Sequence, residues 1–354
     1  MNILLTGGAG YVGSACLRLL KQSGHTVVAF DNLIEGHPLA VDGAKLVVGD
    51  IRDTAFLEQT MRDNQIEAVM HFAAATDVGE SVRNPSYHYD NNIGGTLSLL
   101  NAMAAARVKK ILFSSTCATY GMNPKSPMAE DADQDPCSPY ARTKLTVEWM
   151  IKDFSHIHDF GYTLLRYFNA AGASKDGNFG EYHHPENHLI PLVLENIRCG
   201  ESELKVFGDD YPTADGTCIR DYVHIEDLAS AHLLAMEAIG EGTAEVFNIG
   251  TGDGQSVMDI IKACEEVSGH KANYKVVDRR PGDPPELVAN STKLRTQLGW
   301  QPKYTTIADI VRTAWTWHKL KPLGYGEKNA DQEKADIKKR ATIDSTPACQ
   351  ETSQ

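Results

Sequence analysis

The first 170 residues alternate between short apolar runs and longer amphipathic patterns. The apolar runs predict strands at residues 2–6, 26–30, 45–49, 67–72, 109–115 and 162–168. Apolar residues at helical spacing lie between them and predict helices that include 54–63, 92–107 and 139–156. Strands that alternate with helices form βαβ units, which give a parallel sheet with helices on both faces. We therefore predict an α/β fold with a Rossmann-type, doubly wound parallel sheet.

The pattern changes after about residue 170. Residues 171–189, rich in Gly, His, Asn and Pro, predict a long loop, and residues 210–220 predict another. Long ordered loops in a compact protein are usually functional. Residues 244–250 predict a strand that returns to the sheet, and residues 256–269 predict a helix with Ser256 as its cap and Gly269 as its stop.

These changes in pattern predict that the chain is divided into three parts. Residues 1–170 form the Rossmann-type domain, to which segments near 217–250 return. Residues 171–325 form a smaller, mixed α/β C-terminal part. Residues 326–354 are polar and poor in aromatic side chains, so we expect a solvated tail.

Composition and charge narrow the class of protein. Of the 354 residues, 42% are hydrophobic and 23% are charged, as in an ordinary globular chain. The formal net charge of −13 argues against nucleic acid and anionic membranes as partners. The seven cysteines form no Cys-x-x-Cys pair, so we expect reduced thiols in a cytoplasmic protein. The N-terminal "MNILLTGG" has no signal-peptide pattern, and no run of about 18 apolar residues predicts a membrane span.

A glycine-rich segment, "TGGAGYVGS", follows the first predicted strand. We expect Gly7 to allow a sharp turn, Gly10 to let the backbone approach a pyrophosphate, and Gly13 to let the helix pack against the sheet. A glycine pattern is weak evidence by itself, but a position between strand and helix is the context that a dinucleotide site requires. The sequence therefore predicts a dinucleotide cofactor at this turn.

The end of the second predicted strand indicates which dinucleotide is bound. Asp31 lies eighteen residues after Gly13. A carboxylate there accepts hydrogen bonds from the adenosine ribose hydroxyls and repels a 2′-phosphate. No arginine flanks Asp31 in "FDNLIEG", so the sequence favours NAD over NADP. Asp50 and Ile51, after the third strand, either bracket the adenine or form an ordinary strand-end turn.

A tyrosine and a lysine are spaced four residues apart in "SPYARTK". Ser138 and Pro139 are typical of a helix start, so Tyr140 and Lys144 share one face of the first turns of a helix. A phenol is a poor base at pH 7, but an ammonium within about 6 Å, a nicotinamide cation and a helix N-terminus all lower its pKa. We therefore predict that Tyr140 is a general base and that Lys144 assists it.

Hydroxyl side chains end the fifth predicted strand, in "FSST". Because the carboxyl ends of parallel strands face the ligand crevice, Ser115 and Thr116 are candidates to bond a reacting oxygen. Either hydroxyl could instead satisfy local backbone groups. NAD, a tyrosine base, a lysine and a hydroxyl together predict hydride transfer to or from an alcohol carbon. This combination resembles the short-chain dehydrogenase/reductase family in its extended form.

The residues that follow Thr116 narrow the reaction. They are Cys117, Ala118 and Thr119, whereas sugar-nucleotide dehydratases and UDP-glucuronate decarboxylases carry carboxylates nearby. Only reversible alcohol oxidation is therefore expected. Segments spread over residues 1–325 closely resemble those of the UDP-glucose 4-epimerases, and they are "VGESVRNPSYHYDNNIGGT", "SPYARTK", "LLRYFNAAGA", "HHPENHLIP", "VFGDDYPTADGTCIRDYVHIEDLA" and "RRPGDPPELVA".

The resemblance implies a reversible epimerisation of UDP-glucose and UDP-galactose at C4, through a transient 4-keto sugar and enzyme-bound NADH. It implies Tyr140 as the base, Lys144 as its partner and Thr116 as the hydroxyl that bonds the sugar O4. The residues implied to contact NAD are Gly7, Gly10, Tyr11, Val12, Gly13, Asp31, Asn32, Asp50, Ile51, Phe72, Ala73, Ala74, Asn92, Ser114, Tyr140, Lys144 and Phe168. Those implied to hold the UDP-sugar are Thr116, Asn169, His188, Leu189, Lys205, Val206, Phe207, Arg220, Tyr222, Arg280, Asp283 and Leu287. It also implies a homodimer formed through helices 92–107 and 139–156.

Several alternatives stay open at this level. A UDP-N-acetylhexosamine or a UDP-pentose could be the substrate, because Leu287 has only intermediate bulk at the implied sugar pocket. A non-catalytic NAD-binding regulator would keep the fold without needing Tyr140, and a net dehydrogenase would release NADH.

The segment "EYHHPENH" brings histidines and glutamates close together in sequence. It contains no helical His-x-x-x-His pair with an acidic third ligand. We therefore expect a loop that contacts substrate, and no metal site.

Overall fold

The computed structural model describes residues 1–122, 125–200, 203–280 and 283–326. Its strands are β1 (Asn2–Thr6), β2 (Thr26–Asp31), β3 (Lys45–Val48), β4 (Ala68–His71), β5 (Lys110–Thr116), β6 (Gly161–Tyr167), β7 (Asn169–Ala171), β8 (Leu204–Phe207), β9 (Ile219–His224), β10 (Ala244–Ile249), β11 (Gly254–Ser256), β12 (Tyr274–Val277) and β13 (Glu286–Leu287). Its helices are α1 (Tyr11–Gln22), α2 (Thr54–Asp63), α3 (Val78–Arg83), α4 (Pro85–His88), α5 (Gly95–Ala106), α6 (Pro139–His158), α7 (Leu189–Cys199), α8 (Ile225–Glu237), α9 (Val257–Ser268), α10 (Thr292–Leu298) and α11 (Ile307–Leu320). Apart from Gly326, the predicted tail at 326–354 lies outside the described residues.

Seven strands form one parallel sheet in the order β3-β2-β1-β4-β5-β6-β10. The chain moves outward from β1 in both directions, which is the arrangement of a doubly wound sheet. The six strands predicted before residue 170 are all present, with ends that agree within one residue. The strand predicted at 244–250 joins the sheet as β10, beside β6. The prediction of a Rossmann-type α/β fold is confirmed.

Helices cover both faces of this sheet and bury it. On one face Leu5 packs in a core with side chains of α1 and α8. On the other face Leu4 and Phe30 pack in a core with side chains of α2, α5 and α6. Neighbouring residues of a strand point to opposite faces, so both must be apolar. This is why the strands read as continuous apolar runs in the sequence.

The helical region predicted at 92–107 extends further toward the N-terminus than expected, because α4 (Pro85–His88) precedes α5 without a break. The side chain of Asn84 accepts the N–H of Tyr87 and caps α4, and a π-helical turn at Tyr89–Gly94 connects α4 to α5. Asparagine and glycine in "DNNIGG" have low helix propensity, and this hid the first turns from the periodicity. Such π turns are frequent at functional sites. The helices predicted at 54–63 and 139–156 match α2 and α6.

The chain after β6 builds a second, smaller layer. Strands β7, β9, β11 and β13 form a mixed sheet, and β12 pairs with β8. Leu194, Ile260 and Val311 bring α7, α9 and α11 into one core beside these strands. Helix α9 has the predicted ends, because Ser256 accepts the N–H of Asp259 and Gly269 has a φ of 76°.

The chain returns to the main sheet after β9. Helix α8 packs in the same core as α1, and β10 completes the seven strands. The loop predicted at 210–220 ends where β9 begins, at Ile219. The division of the chain near residue 170, with returning segments near 217–250, stays a prediction. Among the described residues, no helix is both long and apolar enough to cross a bilayer.

Candidate active site

The turn between β1 and α1 leaves almost no room for side chains. Gly7 has a φ of +73°, and a Cβ on it would lie 2.5 Å from the Ala73 nitrogen. A Cβ on Gly13 would lie 2.1 Å from the Gly7 carbonyl oxygen, so only glycine lets α1 start this close to the turn. At Gly10 an added Cβ would meet only the Gly7 oxygen, at 3.4 Å. Gly10 is therefore the one of these three glycines that faces open space.

The N-terminus of α1 fits the phosphates of a dinucleotide. Its N-cap residue, Gly10, makes no side-chain cap, and its first turn has no acidic residue. Tyr11 and Val12 are the first two residues of α1, and the Tyr11 hydroxyl donates to the Gly172 carbonyl at 2.6 Å. The N–H groups at such a terminus carry partial positive charge. The turn therefore offers backbone donors where a pyrophosphate would bind.

Asp31 ends β2 beside this turn and is buried. Its two oxygens accept the N–H groups of Ala9 and Leu33, each at 2.9 Å. Burial raises the pKa of the Asp31 carboxyl, and these two hydrogen bonds oppose the increase. Asn32 accepts the N–H of Ile34. Each Asp31 oxygen keeps a lone pair, so the carboxylate can still accept hydrogen bonds from a ribose.

Residues after β3 lie at the same edge of the sheet. Asp50 pairs with Arg52 at 2.6 Å, and this pairing lowers the pKa of the Asp50 carboxyl. Arg52 also pairs with Asp90 at 2.5 Å. Ile51 is buried against Gly95, where an added Cβ would lie 2.4 Å from its Cδ1. Asp50 is thus held at the surface and Ile51 beneath it.

The segment after β4 is held between the turn and α6. The N–H groups of Phe72 and Ala73 donate to the Thr6 carbonyl, and Ala74 follows them. Asn92, in the π-helical turn, donates to Ala75 O and to Thr143 Oγ1, both at 3.0 Å. Its Oδ1 accepts from the Ala75 N–H at 2.8 Å and from Asn91. All hydrogen-bonding positions of Asn92 are used, so a polar contact with a cofactor would replace one of these bonds.

The first turns of α6 bring Tyr140 and Lys144 together as predicted. The Ser138 hydroxyl accepts the N–H of Ala141 at 3.2 Å and caps the helix. Lys144 Nζ lies 6.0 Å from the centre of the Tyr140 ring and donates to the Ser114 carbonyl at 2.8 Å. Lys144 is thereby anchored to β5 while it faces the Tyr140 ring.

Burial dominates the charge states of this pair. It raises the pKa of the Tyr140 phenol far above its usual value, and Tyr167 adds to the increase, whereas a hydrogen bond with Thr116 opposes it. Burial also lowers the pKa of Lys144 to about 7, and Glu148 acts in the opposite direction. Without a cofactor, burial therefore outweighs the influence of Lys144 and the helix N-terminus on the pKa of Tyr140. The nicotinamide cation, which the prediction also included, is the further positive charge that the phenol needs.

Strand alternation separates the hydroxyls of β5. Ser114 bonds the Tyr167 hydroxyl at 2.8 Å. Thr116 accepts the Ala118 N–H at 3.2 Å, and it also lowers the pKa of the Tyr140 phenol. Ser115 lies between them and points to the other face, where it donates to Glu148 Oε1 at 2.6 Å. Thr116 thus meets Tyr140, whereas Ser115 does not.

A buried ion pair behind the site was not anticipated from the sequence. Glu148 is one turn beyond Lys144 on α6, and its carboxylate accepts from Arg166 Nε at 2.9 Å and Nη2 at 2.6 Å. Arg166 Nη1 also bonds the Tyr120 hydroxyl, which donates to Asn248 at 2.7 Å. Tyr140, Lys144 and Glu148 form one stripe at i, i+4 and i+8, so the helical spacing that identified the first pair also leads to Glu148.

Two arginines that are far apart in sequence meet at one aspartate. Asp283 lies 3.7 Å from Arg220 and 2.9 Å from Arg280. The Arg280 guanidinium lies 4.9 Å from the centre of the Phe207 ring. On the same strand as Phe207, the Lys205 side chain is exposed and Val206 is buried. Arg220, Arg280 and Phe207 therefore form a cationic and aromatic surface suited to a nucleoside diphosphate.

An apolar cluster lies at the carboxyl ends of β5 and β6. Phe168 and Leu287 pack there with Cys117 and Tyr120. Leu287 in β13 pairs in register with Arg220 in β9, and Asn169 in β7 pairs with Tyr222. The residues implied for substrate binding on β7, β9 and β13 thus lie on adjacent strands.

The start of α7 carries His188 as its N-cap and Leu189 as its first residue. His188 Nδ1 lies 2.7 Å from Glu181 Oε1. Burial would lower the pKa of His188, but Glu181 and Glu186 outweigh it and raise the pKa to about 10. The histidines and glutamates of this loop converge more closely than the sequence indicated.

Comparisons with known proteins agree with this geometry. Residues 3–250 match the model of the NAD dependent epimerase/dehydratase family. A UDP-glucose 4-epimerase of Lactobacillus helveticus is 47% identical over 330 residues, which are 93% of this chain and all of that protein. One of Halalkalibacterium halodurans is 46% identical over 335 residues, 94% of this chain and all of that protein.

A solved structure shares both the fold and much of the sequence. UDP-glucose 4-epimerase from Brucella ovis in complex with NAD superposes with a TM-score of 0.86 at 44% identity, covering 89% of this chain and 97% of that one. The match extends over both layers of the fold, so the chain belongs to the NAD dependent epimerase/dehydratase family.

Proposed function

We propose that this protein reversibly epimerises UDP-glucose and UDP-galactose at C4, with NAD as its cofactor. The observation that carries the proposal is the grouping of Tyr140, Lys144 and Thr116 at the carboxyl edge of a parallel sheet, beside the N-terminus of α1, which has no side-chain cap. The relatives described above are UDP-glucose 4-epimerases, which are named for this reaction. Cys117, Ala118 and Thr119 supply no acid or base for loss of water, which favours epimerisation over dehydration.

The cofactor would be held by groups already in position. The N-terminus of α1 would bind the pyrophosphate, Asp31 would accept from the adenosine ribose, and Lys144 would contact the nicotinamide end. NAD held there would supply a hydride acceptor for C4 of the sugar and a positive charge beside the buried Tyr140 phenol.

The chain's own residues move the proton. Tyr140 takes the proton of the sugar O4 while Thr116 hydrogen-bonds the same oxygen. Lys144, held by the Ser114 carbonyl, stabilises the phenolate. After the 4-keto sugar presents its other face, Tyr140 returns the proton and the configuration at C4 is inverted.

The substrate is gripped through its nucleotide. Arg220 and Arg280 bind the diphosphate, with Phe207 and Asn169 beside them. Tight contacts to UDP retain the ketone, and looser contacts to the hexose allow it to turn over. Asp283 pairs with both arginines and orients them.

The test is the conversion of UDP-galactose without added cofactor, followed by NMR. We expect wild-type protein to form UDP-glucose, and Tyr140→Phe to lower turnover by roughly 10²–10⁴-fold while UDP binding is retained. Tyr162→Phe is the matched control, because Tyr162 lies at the amino end of β6, away from the carboxyl edge that holds Tyr140. This variant should keep its turnover. Near-normal turnover of Tyr140→Phe would refute the base. In a parallel assay with added NAD, sustained NADH accumulation by wild type would instead indicate a net dehydrogenase.

We also propose that the protein acts as a homodimer in the cytoplasm. Helices α5 and α6 expose Leu97, Trp149 and Ile157, at 43%, 55% and 71% of their surface. Large apolar side chains grouped on neighbouring helices favour association. The six cysteines of the described residues are free thiols, as expected for a reducing compartment.

A further inference from the structure

The loop between β7 and α7 gathers four side chains that can bind a metal ion. Glu181, His183, Glu186 and His188 each place one ligand atom so that all four atoms lie within 4.8 Å of one another. None of the four is used in the proton transfer described above. They are contributed by eight consecutive residues, so no other part of the chain has to move to complete the set.

The distances between these atoms fit a tetrahedral ion. His183 Nδ1 lies 3.5 Å from Glu181 Oε1 and 3.6 Å from Glu186 Oε2, and His188 Nδ1 lies 3.4 Å from Glu186 Oε1. Nitrogen and oxygen ligands at about 2.0–2.1 Å from Zn²⁺ form a tetrahedron with edges of about 3.3 Å. Taken with either Glu186 oxygen, two of these ligand pairs are close to that edge length. The pair of His188 Nδ1 and Glu181 Oε1, at 2.7 Å, would have to separate.

Hydrogen bonding alone leaves one of these atoms unsatisfied. His183 Nδ1 is buried and makes no hydrogen bond of normal length, although the Glu181 and Glu186 carboxylates lie 3.5 Å and 3.6 Å from it. A metal ion bonded to this nitrogen would give it a shorter, direct partner.

Charge and donor type indicate which ion would bind. His188 would release its proton on binding a metal. Two neutral imidazoles and two carboxylates then carry a charge of −2, which one divalent cation balances. Mg²⁺ and Ca²⁺ prefer oxygen ligands alone, whereas Zn²⁺ accepts imidazole and carboxylate ligands in a tetrahedral arrangement. Cu²⁺ prefers a tetragonal geometry, which this set does not provide.

We propose that Glu181, His183, Glu186 and His188 bind one Zn²⁺ ion as a closed, four-ligand structural site. This departs from the expectation, drawn from the sequence, of no metal. The proposal does not rest on the epimerase activity.

The surroundings indicate what the ion would stabilise. The Trp317 indole donates to Glu181 O at 2.9 Å, and Asn187 donates to Asp77 at 3.1 Å. His183 lines a small cavity together with Gly10 and Tyr11 of the β1–α1 turn. The ion would therefore fix a loop that lies over the N-terminus of α1.

The experiment measures zinc on the full chain without a histidine tag. Protein is incubated with excess Zn²⁺ and desalted, and bound metal is measured by mass spectrometry. We expect one tightly held zinc per chain in the wild type. His183→Ala should lower the affinity by more than the 10–100-fold typical of losing an outer-shell partner. The matched control, His184→Ala, alters the exposed neighbour and should keep the zinc.

Two further measurements keep the test decisive if His183→Ala folds poorly. Glu186→Gln keeps the side-chain volume and should also lose the ion, and zinc should raise the Tm of wild type but not of this variant. Co²⁺ bound in place of zinc should give the intense visible absorption of a tetrahedral site. The absence of tight zinc binding by wild type, equal binding by His183→Ala and His184→Ala, or a weak octahedral Co²⁺ spectrum would each overturn the proposal.

Discussion

At the residue scale, buried histidines and the half-exposed His188 have opposite charge states. Burial lowers the pKa of His71 and His224 to about 3, and that of His232 and His318 to about 4. These four are neutral at physiological pH. His188 differs because Glu181 and Glu186 lie beside it. The same side chain thus serves as a packed aromatic ring in one place and as a charged or metal-binding group in another.

The buried neutral histidines predict a loss of stability in acid. Below pH about 6.5 an unfolded chain binds a proton at His232, but the folded chain does so only near pH 4. His232 therefore costs about 2 kcal/mol of unfolding free energy between pH 7 and pH 5. His232→Asn should be less stable than wild type at pH 7, because the ring packs against Phe72, but it should lose about 2 kcal/mol less on acidification.

Denaturant unfolding at pH 7 and pH 5 checks this prediction. The exposed His270 is the matched control, and His270→Asn should leave the pH dependence of wild type unchanged. Equal pH dependence of His232→Asn and wild type would mean that burial does not keep His232 neutral.

At the element scale, two glycines of the β1–α1 unit have different roles: Gly13 is needed for folding, and Gly10 is placed for ligand binding. Gly13 is required by the protein itself, because the Gly7 carbonyl occupies the space of its Cβ. Gly10 is free of such a contact and lies at the helix N-cap. The two positions look alike in the sequence, but their neighbours differ.

We expect alanine to act differently at the two positions. Gly13→Ala should destabilise the fold by about 3 kcal/mol, since backbone must shift to admit the methyl group. Gly10→Ala should change the unfolding free energy by no more than about 1 kcal/mol but weaken NAD binding at least tenfold, about 1.4 kcal/mol. Chemical denaturation and titration with NAD measure the two effects separately. Unchanged NAD affinity in a folded Gly10→Ala protein would contradict the assigned pyrophosphate site.

At the scale of the whole molecule, α5 and α6 expose more large apolar side chains than a solvated surface requires. Trp149 exposes 55% of its surface there, and Leu97 exposes 43%. If two chains pair through these helices, Trp149→Glu should convert a dimer into a monomer, because a charge would be buried without a partner. Leu39→Glu, at a site 70% exposed on another part of the surface, should remain dimeric. Sedimentation equilibrium distinguishes these results, and a monomeric wild type would refute the dimer.

Some of the active site could be predicted because its geometry is local. Four-residue spacing on a helix places Tyr140 and Lys144 on one face whatever the rest of the chain does. The same rule, carried one turn further, leads to Glu148. The choice between Ser115 and Thr116 also follows from strand alternation once the Ser115 side chain is known to contact Glu148. That contact joins β5 and α6, and the periodicity of a single helix or strand cannot predict it.

The sequence by itself determined the parallel sheet, its helices and the glycine turn, since hydrophobic period and steric freedom are properties of short segments. Tertiary structure decided what depends on groups distant along the chain. It placed Arg166 against Glu148, brought Arg220 and Arg280 to Asp283, and left the Tyr140 phenol neutral by removing it from water. Charge states and ion pairs follow the local dielectric and the nearest neighbours in space, and these exist only after the chain has folded.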